Sequence, residues 1–181
     1  MKRRILIVGT VALLATLISA PLSIAAKTAS PTPVTSNPYG AGAAVDPAGP
    51  NDPILTLENG SKKKGLTYGA LLAMHPSTLT IYEPFVKKVQ TFTVIPLADL
   101  FKLVGIKGSD TVVTSALNDY VYTNTASKFL GAKGYLAIKR AGTSIPYDQG
   151  GPIRIIFPNN SSWAKFLDPW NWSLSKISVK P

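Results

Sequence analysis

Phe92-Thr93-Val94-Ile95-Pro96-Leu97-Ala98-Asp99-Leu100-Phe101-Lys102-Leu103-Val104-Gly105 passes from an extended run into a helix and stops. Residues 92–95 read as a strand. Pro96 suits the first helical position, where its missing N–H costs nothing, and Leu97, Leu100, Phe101 and Val104 fall on one helical face. Gly105 ends the helix because only glycine enters the left-handed region without penalty. A strand that hands over directly to so short a helix predicts a mixed architecture, and the flanking sequence repeats the pattern.

Upstream, Ile54, Leu55 and Leu57 make a first strand, and Asn59-Gly60 then turns into an exposed loop at residues 62–64. Thr67 is placed to cap a helix over 68–74, since its hydroxyl can satisfy an orphan amide of the first turn, and Pro76 stops that helix. Residues 79–82, 111–116, 120–122, 135–139 and 153–157 are strand-like, with turn residues Asn118 and Asp119 between two of them, and 172–179 alternates apolar and polar residues to close the chain. Strands outnumber helices. The predicted class is α/β in the mixed (α+β) sense, a mixed sheet with short peripheral helices, rather than a doubly wound βαβ array.

The N-terminus reads Met1, Lys2, Arg3, Arg4 and then an uncharged apolar run over 5–18, the layout of a signal peptide. Small residues Ser23 and Ala25 predict cleavage after Ala25, with Ala26 or Ala20 as alternatives; an uncleaved anchor over 5–26 is the rival reading. Residues 26–53, with Pro31, Pro33, Pro38, Pro47, Pro50 and Pro53 among Ser, Thr, Ala and Gly, read as a Pro-rich flexible linker. Residues 54–181 form the single domain. The expectation is an exported protein, periplasmic or extracellular, membrane-tethered if the signal stays on, with membrane or wall contact through the N-terminal segment.

The chain has no cysteine, so an oxidising compartment finds no disulfide to form and stability rests on an apolar core. Without the three basic residues of the leader, 16 Lys and Arg face 9 Asp and Glu, a net charge of +7. Beyond the leader only Arg140 and Arg154 are arginines, and the lysines are scattered apart from 62–64 and 87–88, which is not the clustered arginine and aromatic footprint of a nucleic-acid binder. The charge supports a modest attraction to anionic polymers, surfaces or ligands.

Standard catalytic constellations are missing. His75 is the one histidine; a Ser-His-Asp triad would have to use it, and it stands beside Pro76 with no nucleophile motif near, so it reads as structural or exposed. One histidine and no cysteine do not make a zinc site. Gly150-Gly151-Pro152 precedes a strand and is no phosphate loop, and the acidic residues are scattered singly with no pair marked for hydrolysis.

Four segments in order carry a resemblance: 94–100 (Val-Ile-Pro-Leu-Ala-Asp-Leu), 116–120 (Ala-Leu-Asn-Asp-Tyr), 135–137 (Tyr-Leu-Ala) and 150–158 (Gly-Gly-Pro-Ile-Arg-Ile-Ile-Phe-Pro). Together with the closing strand they resemble the molybdopterin-binding domain of the sulfite oxidase family over nearly all of 54–180. The resemblance implies a compact mixed fold with a pterin dithiolene in a cleft lined by loops at the sheet's edge. It also implies a cysteine thiolate on the metal in a stretch that corresponds to 81–85, where this chain reads Ile-Tyr-Glu-Pro-Phe. Glu83 is either an oxygen ligand there or a surface acid before a turn. After Pro158 the family's Gly- and basic-rich segment, ending in Lys-Trp and gripping the cofactor phosphate, is replaced by Asn159-Asn160-Ser161-Ser162-Trp163-Ala164-Lys165. Lys165 and its small polar neighbours either hold an anion or form a simple loop.

The residues this assigns to the cofactor cleft are Asn118, Asp119, Tyr120, Arg154 and Lys165, with no catalytic residue and no metal ligand. Arg154 either holds a phosphate or carboxylate bidentately or pairs with Asp119 or Asp148. Asn118 and Asp119 either reach into the cleft or make an ordinary turn; Tyr120 and Tyr122 share one face and pack in the core. Trp172 reads as core, while Trp163 and Trp170 are open between core and ligand surface. The resulting expectation is a non-catalytic binding module for a small anionic ligand or a partner protein. No cofactor is expected, with molybdopterin left open, and no nucleic acid. The alternative is a periplasmic molybdopterin-dependent oxidoreductase, or its subunit, with a non-cysteine metal ligand.

Overall fold

In the computed structural model, residues 46–181 are described; the predicted signal peptide and the predicted linker up to residue 45 lie outside them. Strand β1 (Pro53–Asn59) turns at Gly60 and Ser61 into β2 (Lys62–Thr67), and helix α1 (Tyr68–Leu72) follows at once. The hairpin β3 (Ser77–Glu83) and β4 (Lys88–Pro96) leads into α2 (Leu97–Val104). A second hairpin, β5 (Thr111–Ala116) and β6 (Val121–Thr125), leads into α3 (Ala126–Gly131), and β7 (Tyr135–Arg140), β8 (Arg154–Ile156) and β9 (Leu174–Val179) complete the chain.

The strands form two sheets. The first has the order β2-β1-β9-β5-β6, in which β1 and β9 run parallel and every other neighbour is antiparallel; the second is antiparallel throughout, in the order β3-β4-β7-β8. The predicted mixed architecture with short helices stands, with the strands divided between two sheets. Local patterning cannot show which strands become neighbours, because pairing partners are chosen by tertiary contact. One apolar core joins the sheets, drawing Leu55, Leu57 and Ile177 from the first and Phe92, Val94 and Leu136 from the second. Each such side chain contributes roughly 1.5–3 kcal/mol by leaving water.

Helix α2 buries Leu97, Leu100, Phe101 and Val104, the predicted face, and Gly105 ends it at φ 71°. Asn59 closes its C-terminus from the β1–β2 hairpin, donating Nδ2 to the carbonyls of Val104 and Gly105 at 3.1 Å each, which satisfies acceptors the helix leaves open. Pro96 stands one place before its predicted position, as the N-cap at φ −59°. Thr67 caps α1 as expected, its hydroxyl accepting from Ala70 N at 3.1 Å, although the helix ends at Leu72 rather than 74.

Residues 62–64 are not a loop: they lie in β2, at the sheet edge, where Lys63 pairs with Glu58 at 2.9 Å. Lysines on an edge strand are an ordinary guard against unwanted strand pairing, and their charge conceals the strand from a hydrophobicity reading. Helix α3 has no counterpart in the sequence analysis, because it is short and buries only Ala126 and Phe129. Before β1, Ala48 N donates to the Tyr147 hydroxyl at 3.0 Å, and Gly49 N to Asp52 Oδ2 at 2.9 Å. Among the described residues no helix is long and apolar enough to cross a membrane.

Candidate functional site

Strand β3 alternates at its end so that Ile81 and Glu83 point inward and Tyr82 outward. Period-two alternation therefore drives a carboxylate into the interior. Glu83 is fully buried; its Oε2 accepts from Val86 N at 2.8 Å as the chain turns towards β4, and its Oε1 lies 3.9 Å from Arg154 Nη1. Arg154 opens β8, whose three residues are all buried, and its guanidinium carbon sits 4.8 Å from the Phe92 ring centre and 5.7 Å from that of Trp172. A buried charge pair survives desolvation only with close compensation, which Glu83 and the two aromatic faces supply.

The Gly150-Gly151 turn brings this pair under Trp172. Gly150 takes φ 82°, and a side chain there would meet the Trp172 ring at 3.2 Å; a Cβ on Gly151 would lie 1.9 Å from the Ile145 carbonyl oxygen. Only glycine lets these backbones approach. Asn171 then ties the following segment inward, donating Nδ2 to the carbonyl and hydroxyl of Thr114 at 3.0 and 3.1 Å.

Beside Trp172 opens a cleft of about 260 Å³ walled by Phe85, Trp170, Trp172 and Leu167. Asn118, Tyr120 and Asp168 form the rest of its lining. The Phe85 ring meets Trp172 edge-on at 4.2 Å between centres and Trp170 at 6.1 Å. Across from them the Tyr120 hydroxyl donates to the Asp168 backbone carbonyl at 2.9 Å. Partial burial holds the Tyr120 phenol above its ordinary pKa, assisted by the nearby Asp168 carboxylate and Tyr122.

Of the residues assigned from sequence, the structure brings Asn118 and Tyr120 to the cleft. Asp119 between them is the turn residue at φ 64°, and the Asn118 side chain accepts weakly from Tyr120 N at 3.4 Å, the ordinary turn chemistry. Arg154 is fully buried and is not part of the cleft's lining, and the acid that stands within ion-pair distance of it is Glu83. Glu83 is correspondingly no surface acid. Lys165 is exposed and is not part of the lining.

Trp172, read as core, is the more exposed of the two tryptophans that line the cleft. Trp170 is the buried one, donating Nε1 to the Trp163 carbonyl at 3.0 Å, whereas Trp172 is half-buried and lines the cleft. Trp163 packs between Phe129 and Phe157, 5.3 Å from each ring. Tyr122 keeps its packing role against Phe129 at 5.8 Å. Phe85, Leu167 and Asp168 were not singled out by sequence reasoning; the only signal for them was the aromatic crowding near the chain's end.

The model of the oxidoreductase molybdopterin binding domain family matches residues 74–173. No sequence among the curated proteins matches. Among solved structures, the fold is similar to the sulfane dehydrogenase SoxCD from Paracoccus pantotrophus, with a TM-score of 0.58 at 15% identity, over 75% of this chain and 40% of that one. The chain thus spans less than half the length of that neighbour.

Proposed function

The chain belongs to the oxidoreductase molybdopterin-binding domain family, and from that premise we propose that it is an exported, non-catalytic member whose aromatic cleft binds a small ligand without metal redox chemistry. The observation that carries this reading is the buried pair of Glu83 and Arg154. Where the family resemblance implies a metal thiolate, in the stretch 81–85, this chain has Glu83, whose Oε2 accepts from the Val86 amide and whose Oε1 faces Arg154 at 3.9 Å.

The donor set does not fit a protein-bound molybdenum. The chain has no cysteine to supply a soft thiolate, and the acid in its place faces an internal cation. The cleft does not fit the pterin cofactor either. Among the described residues no lysine or arginine lines it to hold the cofactor's phosphate. The anionic ligand expected from Arg154 and Lys165 loses its support for the same reason: one is fully buried outside the cleft's lining and the other lies off its wall. Export rests on the charged and apolar leader.

The test is metal and pterin analysis of the full-length protein exported by a host competent in molybdenum cofactor synthesis. Folded protein without molybdenum or pterin is the expected result. Near-stoichiometric amounts of both would overturn the proposal and restore the oxidoreductase with a non-cysteine metal ligand.

A further inference from the structure

The cleft's lining is chemically one-sided. Four aromatic rings, those of Phe85, Tyr120, Trp170 and Trp172, are joined by the Asp168 carboxylate, and among the described residues no basic side chain contributes. In a chain that carries a net charge of +10 this is a local reversal of sign. Aromatic faces carry negative quadrupoles, and a carboxylate beside them completes the field that an ammonium group seeks. The surroundings already show the chemistry at work: from the buried side the Arg154 guanidinium stands 5.7 Å from the Trp172 ring centre. Its charge is balanced by Glu83 at 3.9 Å, so it does not repel a second cation with full strength.

We propose that this cleft is the site of a small organic cation bearing an alkylated ammonium group, as in choline or glycine betaine. The proposal rests on the binding-module reading above and names its ligand class. Phe85 and Trp172, both in the lining, meet edge-on with their ring planes at 62°, so that the wall offers π surface in two orientations. Trp170 extends the wall, and Tyr120, anchored through its hydroxyl to the Asp168 carbonyl, closes the opposite side. Leu167 suits the methyl groups. Asp168 is exposed at the rim, where its carboxylate stays hydrated until the ligand arrives and steers the cation in. A volume of about 260 Å³ is ample for a ligand as small as choline.

The experiment is a calorimetric titration of the full chain with choline and, separately, with 3,3-dimethyl-1-butanol, which keeps choline's shape and loses its charge. Choline is expected to bind saturably and the neutral alcohol about fivefold or more weakly. Asp168→Asn, at an exposed position that leaves the core intact, is expected to weaken choline about threefold or more, and Phe85→Leu to weaken it further. Equal binding of choline and the alcohol overturns the proposal, as does the absence of choline binding by folded protein. Retention on phosphatidylcholine vesicles without binding of free choline also overturns it, assigning the chemistry to a lipid surface. Metal and pterin are measured on the same sample: a metal-free protein that ignores choline refutes the ligand class alone, whereas stoichiometric molybdenum refutes the binding-module reading.

Discussion

Glu83 and Arg154, far apart in sequence, meet in the interior with Oε1 and Nη1 3.9 Å apart and neither side chain exposed. The distance is that of an ion pair rather than a hydrogen bond. Each charge makes the other's burial tolerable.

Removing one partner leaves an uncompensated buried charge. Arg154→Met is therefore expected to lower unfolding free energy by about 3–5 kcal/mol, and the double variant Glu83→Leu with Arg154→Met to recover most of that loss, because a well-packed apolar pair needs no compensation. Urea denaturation of the three proteins checks this; a double variant no better than the single one contradicts it.

The glycines of the fold separate by what surrounds them. Gly151→Ala puts a methyl group 1.9 Å from the Ile145 carbonyl oxygen and forces backbone to move, so the variant is expected to lose about 3 kcal/mol or more. Gly131→Ala, at the end of α3 with open space around it, is expected to gain about 0.4–1 kcal/mol by restricting the unfolded chain. Paired thermal melts distinguish the two signs.

Tyr120 supplies a pH dependence. Its folded pKa is raised above 10.0, chiefly by burial and then by Asp168 and Tyr122, so the fold favours the protonated phenol. That contribution is complete below the unfolded pKa and is lost as pH rises through the folded one. Phenolate absorbance is expected to show Tyr120 ionising after an ordinary tyrosine, with Tyr120→Phe deleting the late component and the matching alkaline loss of stability.

Asn171 holds the two cleft tryptophans by bonding between them to Thr114. Asn171→Ala removes two buried bonds to Thr114, whose hydroxyl keeps its own bond to the Tyr122 carbonyl, and is expected to cost about 1–3 kcal/mol. It is also expected to red-shift tryptophan emission as Trp170 and Trp172 become wetter; an unchanged spectrum would show that the segment is held by packing alone.

Much of the scaffold was legible in local sequence because local physics makes it. The cap by Thr67, the apolar face of α2 and the left-handed Gly105 each depend on neighbours within a turn or two. The candidate site was legible only in part. Asn118 and Tyr120 reach the cleft from a recognisable turn, but Glu83 was not legible as a neighbour of Arg154, because nothing in local spacing says that β3 and β8 bring the two together. Trp172 departs from its expected place in the core because strand alternation stops short of it: β9 begins at Leu174.

By itself the sequence determined most of the elements, the mixed class, the lack of a cysteine and the order of motifs that resembles the family, since these follow from residue types and short-range periodicity. The tertiary structure alone decided how the strands divide into two sheets, which acid neutralises the buried arginine, and which aromatic rings surround the cleft. Those outcomes are set by contacts between residues distant in the chain, whose energies depend on shared burial and geometry rather than on any residue's own preference.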